Sequence, residues 1–166
     1  MNYDLLVRLL ADASLIPIVL LGAWALVFKV PKGQRYEAYV RIVMAGLTAY
    51  LVAKLIGFGF QPGGARPFEL LGVEAGASSL NNPGFPSDHA LFATAILLAV
   101  WFETRQKAIS IWIAVCVVLM GVGRVLALVH TPLDVIGGIV IACVGILWYA
   151  QAPAFRTRSR TVPLQK

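Results

Sequence analysis

Residues 108–134 read AISIWIAVCVVLMGVGRVLALVHTPLD, and the reading of this stretch decides the fold class. Its first sixteen residues, Ala108–Gly123, carry no charge. Arg124, His130 and Asp134 then follow in quick succession. Four similar apolar runs stand elsewhere, at Ala13–Phe28, Ile42–Phe60, Ala90–Phe102 and Val135–Ala150. The chain has 166 residues, 59% of them hydrophobic and 13% charged, with a mean hydropathy of +0.80, so its solvent is mostly lipid. In lipid the backbone polar groups of a spanning segment must be satisfied within it, which makes each run a candidate helix. Several runs fall short of the roughly 20 residues a span needs, so their helices are expected to extend into the flanking polar residues or to sit in a locally thinned bilayer. The expectation is an all-α, polytopic membrane bundle of about five transmembrane helices plus an N-terminal interfacial helix. Residues 1–166 read as one domain, without a linker, a low-complexity tract or an internal repeat.

The interfacial helix is read at Met1–Asp12. There Leu5, Leu6, Leu9 and Leu10 share one helical face, and Asp4, Arg8 and Asp12 occupy the other. The same pattern also fits a polar start to the first spanning helix. Ala23-Trp24-Ala25 has the form of a signal-cleavage site, but the residues ahead of the apolar stretch are not basic, and a cleaved leader is rejected. Cys116 and Cys143 lie inside apolar runs and are read as packing residues rather than as a disulfide or metal ligands.

A formal charge of +6 does not signify nucleic acid here, because the cations sort between the runs. Ten of them, Lys29, Lys32, Arg35, Arg41, Arg105, Lys107, Arg156, Arg158, Arg160 and Lys166, fall on one side of a five-span chain. Only Arg8, Lys54, Arg66 and Arg124 fall on the other. The basic side is expected in the cytoplasm, with the C-terminus inside and the Gln61–Asp88 segment outside. Membrane lipids are the expected partners of the basic face.

Three of the four outside cations stand among other reactive residues. Lys54 lies in the second run, and Arg66-Pro67 follow it. Pro86-Ser87-Asp88-His89 opens the third run, Arg124 closes the fourth, and His130 and Asp134 precede the fifth. All map to the outer ends of their helices, where ionisable groups near membrane depth mark function. Three permanent cations, two imidazoles, a hydroxyl and a carboxylate, without a cluster of metal-ligating side chains, suit a phosphoryl group bound without a metal or other cofactor. Arginine supplies bidentate donors to phosphate oxygens and lysine a point charge. Ser87 either caps the third helix or donates to phosphate, and the amides at that helix start attract the same anion. Of the two histidines, one attacks phosphorus and the other protonates the departing oxygen. Asp134 stands four residues after His130, one helical turn, and is expected to hold its ring nitrogen. His130 therefore reads as the nucleophile and His89 as the acid.

These residues resemble the PAP2, or type 2 phosphatidic acid phosphatase, superfamily. Its pattern is a Lys followed by Arg-Pro, then Pro-Ser-Gly-His, then an Arg separated by five residues from a His and by three more from an Asp. Arg124-Val-Leu-Ala-Leu-Val-His130-Thr-Pro-Leu-Asp134 matches the third part in spacing, and Pro86-Ser87-Asp88-His89 matches the second with Asp in place of Gly. The resemblance implies a phosphohistidine on His130, leaving-group protonation by His89, orientation of His130 by Asp134, and phosphate binding by Lys54, Arg66, Ser87 and Arg124. Two features depart from it. Eleven residues separate Lys54 from Arg66 where the family has six, and the spans number five where six are common. The Phe-Pro-Ser-Asp-His-Ala context is similar to that of bacterial undecaprenyl-diphosphate phosphatases of the superfamily. The substrate that the resemblance implies is a lipid phosphate or diphosphate, undecaprenyl diphosphate first, hydrolysed to the monophosphate at the outer membrane face, with phosphatidylglycerophosphate, phosphatidate and lipid A phosphates as alternatives. From other classes, a small transporter predicts charges spread through membrane depth, and a silent lipid-binding relative predicts no phosphate release.

Overall fold

The computed structural model describes residues 3–79 and 84–150, and every regular element among them is a helix. Helix α1 (Tyr3–Arg8) passes through a π-helical turn, Leu9–Ala13, into α2 (Leu15–Lys29). After a short turn come α3 (Arg35–Gly59), the short α4 (Pro67–Leu71), α5 (Asp88–Thr104) and α6 (Lys107–Leu126). Helix α7 (Pro132–Ala142) continues through a 3-10 turn into α8 (Ile146–Ala150).

Four helical stretches are long and apolar enough to cross a membrane: Tyr3–Lys29, Lys32–Gly59, Lys107–Leu126 and Pro132–Ala150. Each is longer than its apolar run, having recruited flanking polar residues as a span requires. The third run, Ala90–Phe102, forms α5, whose 17 residues reach about 25 Å, a little under the thickness of a bilayer's hydrocarbon core. It packs against α2, α3, α6 and α7. The amphipathic N-terminal segment forms no separate surface helix. Its leucine face is exposed at Leu5, Leu6 and Leu9, while Val7 and Ala11 are buried against Ala77, Ala127 and Val129. The segment is thus the polar start of the first span, drawn in toward the loops at one end of the bundle.

Side-chain size is sorted as expected for helices that meet in lipid, where close backbone approach replaces a hydrophobic drive. The buried stripe of α3 is Ala38, Ala45, Ala49 and Ala53. Its outward residues Val43, Leu47 and Leu51 are more than half exposed. Gly145 meets Ala45, and Gly138 lets α7 approach the start of α5 so closely that a Cβ there would stand 2.6 Å from the Ser87 carbonyl oxygen. Both cysteines are free thiols. At the end of the bundle opposite the reactive residues, Arg41 makes a two-pronged pair with Glu103, each bond 2.8 Å. The basic residues 156–166, on which the orientation of the tail depends, lie outside the described residues.

Candidate active site

Short connections between α2 and α3, α5 and α6, and α6 and α7 make these neighbours antiparallel, so alternate helix ends share one side. The contacts between those ends bear this out. The Ser87 amide donates to the Asp134 carbonyl at 3.0 Å, Lys54 reaches Asp88 at 2.9 Å, and Arg124 reaches Asp12 at 3.0 Å. The reactive residues of five helix ends are thereby gathered at one end of the bundle.

His130 sits in the loop between α6 and α7, and that loop is tightly held. Leu128 adopts the left-handed conformation, φ 59°, which costs an L-residue about 1–2 kcal/mol and turns the chain sharply after α6. The Leu128 carbonyl accepts from the Phe68 amide, the Ala127 carbonyl from the Gly76 amide, and the Val129 carbonyl from Nη1 of Arg66 at 2.7 Å. The segment around α4 therefore clamps the loop from outside. Arg66 is itself buried, and Glu69 caps its amide.

Helix α7 begins with Thr131-Pro132, a proline at the first helical position preceded by a capping threonine. Thr131 accepts from the Asp134 amide at 3.2 Å, and Oδ2 of Asp134 accepts from the Thr131 amide at 2.7 Å. The same Oδ2 faces Nδ1 of His130 at 3.7 Å, close enough for an ion pair but too long for a hydrogen bond. The structure thus brings the predicted pair together, with Asp134 anchored first by the cap. His130 is 4% exposed, and burial, reinforced by the Arg124 and Arg66 guanidinium groups, pushes it below the ordinary imidazole range against the opposing pull of Asp134.

Ser87 caps α5 and is fully buried, its hydroxyl accepting from the Ala90 amide at 3.5 Å. His89 is the second residue of that helix, half-buried and within electrostatic reach of His130, Arg124, Asp12 and Asp88. Arg124, in the last turn of α6, is 2% exposed. Gly123 beside it has no Cβ, and one placed there would lie 2.5 Å from the Ala11 backbone nitrogen, so this close crossing is what lets Asp12 reach Arg124. Two buried atoms in the site have no hydrogen-bond partner among the described residues, Nε of Arg124 and Nδ1 of His130.

Helix α3 stays helical through Gly57 and Gly59, and the bend toward Arg66 follows at 61–65. Lys54 projects from within α3, 44% exposed, onto both carboxylate oxygens of Asp88 at 2.9 and 3.1 Å. Gly57 allows the 85–86 backbone to lie against α3, and Gln61 bonds both Gly57 and Phe85 to hold it there.

Three residues that the sequence reading passed over belong to this end of the bundle. Asp12 is the counterion of Arg124. Ser78 donates its hydroxyl to Asp12 at 2.7 Å and its amide at 3.0 Å. Gly84 leaves room against the Asp134 carboxylate and the Arg66 stem. The cations therefore come with acids: Lys54 with Asp88, Arg124 with Asp12. Among the described residues, no group of three or more His, Cys, Asp or Glu side chains is placed to hold a metal ion.

The chain is 30% identical over 135 residues to undecaprenyl-diphosphatase BcrC of Bacillus subtilis (strain 168), an alignment covering 80% of this chain and 65% of that relative. No solved structure matches it. The family model described as PAP2 superfamily matches residues 38–158, a span that runs from the first turn of α3 through α8 and takes in every predicted site residue. By that match, and by the convergence of its three motif segments on one end of a helical bundle, the chain belongs to the PAP2 superfamily.

Proposed function

We propose that this protein is an integral membrane lipid phosphatase that hydrolyses a lipid diphosphate, undecaprenyl diphosphate before the alternatives, to the monophosphate at the outer face of the membrane. The observation that carries this reading is the buried Nε of Arg124, which has no hydrogen-bond partner among the described residues, in a site that also holds the buried His130 with its Nδ1 toward Asp134. A buried donor without an acceptor costs about 1–3 kcal/mol, and a phosphoryl oxygen is an acceptor that relieves it. The family match and the undecaprenyl-diphosphatase relative support the same substrate chemistry.

In this reading Arg66, Arg124, Lys54 and the start of α5 bind the phosphoryl oxygens. Nε2 of neutral His130, the nitrogen turned away from Asp134, attacks the terminal phosphorus. The bond to the bridging oxygen breaks, and His89 gives that oxygen its proton, releasing the lipid monophosphate. Water then attacks the phosphohistidine, His89 takes the water's proton, and the P–N bond breaks to return His130 and inorganic phosphate. Asp134 stabilises the imidazolium character that develops on His130. The three fixed cations supply the charge that a metal supplies elsewhere.

The test is phosphate release by purified full-length protein from a long-chain polyprenyl diphosphate in the presence of EDTA. Turnover by the parent, its loss in His130→Ala, and partial rescue of His89→Ala by a substrate whose leaving group needs no proton are expected. Absence of turnover without magnesium and its return with magnesium, or a phosphorylated His89 formed at the parental rate in His130→Ala, contradicts the proposal. Labelling of a tail cysteine from outside intact cells contradicts the orientation.

A further inference from the structure

Two apolar grooves open on the outside of the bundle. One, of about 360 Å³, lies between α6 and α7 and is lined only by apolar side chains and Gly121, among them Val118, Val122 and Ile136. The other, of about 540 Å³, lies between α3 and α5. Its walls include Val43, Gly46, Leu47, Tyr50 and Phe92, and it ends at the carboxylate of Asp88. Val43, Leu47, Tyr50 and Phe92 are each more than half exposed and form a rim facing outward from the bundle. Lys54 stands one turn beyond Tyr50 on α3, its ammonium 5.1 Å from the centre of the Tyr50 ring and paired with Asp88. From Val43 to Lys54 the helix rises about 16 Å.

We propose that the α3–α5 groove is the seat of the substrate's hydrocarbon chain, and that its phosphate end parts the Lys54–Asp88 pair at the head of the groove. This inference rests on the lipid phosphatase reading above. A chain in this groove has apolar contact along its length and meets a half-exposed cation at its polar end, next to His89. The α6–α7 groove offers the chain the same apolar walls without a charged head. That difference selects the first.

The groove's contribution is registration rather than hydrophobic free energy. A lipid tail leaves hydrocarbon when it enters the groove and finds hydrocarbon there, so little is gained by transfer. What is gained is a headgroup held at one depth and one bearing against Lys54 and His89, a positional effect that appears in turnover of long-chain substrates. Gly46 is where the groove can be filled without disturbing the helices, since a Cβ there meets nothing within 4 Å.

The experiment compares Gly46→Trp and Val122→Trp with the parent, on a long-chain polyprenyl diphosphate and on a short, water-soluble isoprenyl diphosphate. Gly46→Trp is expected to lower kcat/KM for the long substrate by about tenfold or more while changing the short one by less than about twofold, and Val122→Trp to alter neither. A photoreactive long-chain lipid phosphate, read by peptide mapping without turnover, should attach to α3 and α5 peptides containing Val43 or Phe92. A length-dependent loss in Val122→Trp, or attachment to α6 and α7 alone, moves the chain to the other groove and overturns the proposal. So does a Gly46→Trp enzyme with unchanged preference between the two substrates. If the parent hydrolyses neither substrate, the phosphatase reading fails, and the cross-link alone then decides whether the groove holds a lipid.

Discussion

Asp12 is the sharpest point at which to perturb this structure, because it reaches Arg124 across 112 residues of sequence and nothing in the motif pattern includes it. Asp12→Ala removes the carboxylate that, among the described residues, pairs with a guanidinium that is 2% exposed. Breaking a fully buried pair from one side costs about 3–5 kcal/mol, and an exposed pair contributes about 1 kcal/mol or less. Asp12 is 30% exposed, so its pair lies between these limits, and a loss of about 2 kcal/mol is expected. The two hydrogen bonds from Ser78 go with it, loosening the chain between α4 and α5. Asp12→Asn keeps an oxygen for Ser78 and removes only the charge, so its cost should be about half as large. Turnover should fall further than stability suggests, by about tenfold to a hundredfold in kcat/KM, because Arg124 loses the contact that sets its position. Unfolding by SDS titration in mixed micelles gives the stability change, and phosphate release gives the kinetic one. In a double-mutant cycle, Asp12→Ala should add little to Arg124→Ala, since no charge then remains to be stranded. An Asp12→Ala protein with parental stability and parental kcat/KM would refute the pairing, and so would full additivity with Arg124→Ala.

The remaining expectations follow from the same geometry. His130 must be neutral to attack, and its environment holds it below the ordinary imidazole range, so the acid limb of kcat/KM should lie below about pH 6.5, with activity lost as pH falls through it. Asp134→Asn removes the group that opposes this depression, and the limb measured in that variant should move to lower pH; movement to higher pH contradicts the contact. The Lys54–Asp88 pair is more than a third exposed on both sides, so a stability cycle between Lys54→Ala and Asp88→Asn should give a coupling of only about 0.2–1 kcal/mol, whereas Asp88→Asn, by freeing Lys54, should tighten inhibition by inorganic phosphate. Unchanged phosphate inhibition in Asp88→Asn speaks against any competition for Lys54. Gly123→Val sets side-chain atoms against the Leu10–Ala11 backbone, which cannot yield as a flexible side chain would, and should cost about 1–3 kcal/mol on SDS titration together with a kinetic loss like that of Asp12→Ala.

What the sequence determined by itself is whatever depends on local pattern. The apolar runs set the helices and, by their number and the short connections, which ends meet. Arg124, His130 and Asp134 fall at fixed spacing around one loop, so their proximity is nearly a local property, and Thr131-Pro132 with Asp134 three residues after the threonine is a capping box that can be read without coordinates. Only the tertiary structure decided which charge meets which. That Asp12 serves Arg124, that Asp88 holds Lys54, and that α3 runs straight through its glycines depend on helix crossings set by small residues far apart in the chain, at Gly123, Gly138 and Gly57. A periodicity records which face of a helix is apolar, but it is blind to the partner that face will meet. The N-terminal segment shows the difference most plainly: its leucines and acids describe an amphipathic helix equally well on a membrane surface or at the start of a span, and the close approach at Gly123 draws it inward to set a carboxylate beside a buried arginine.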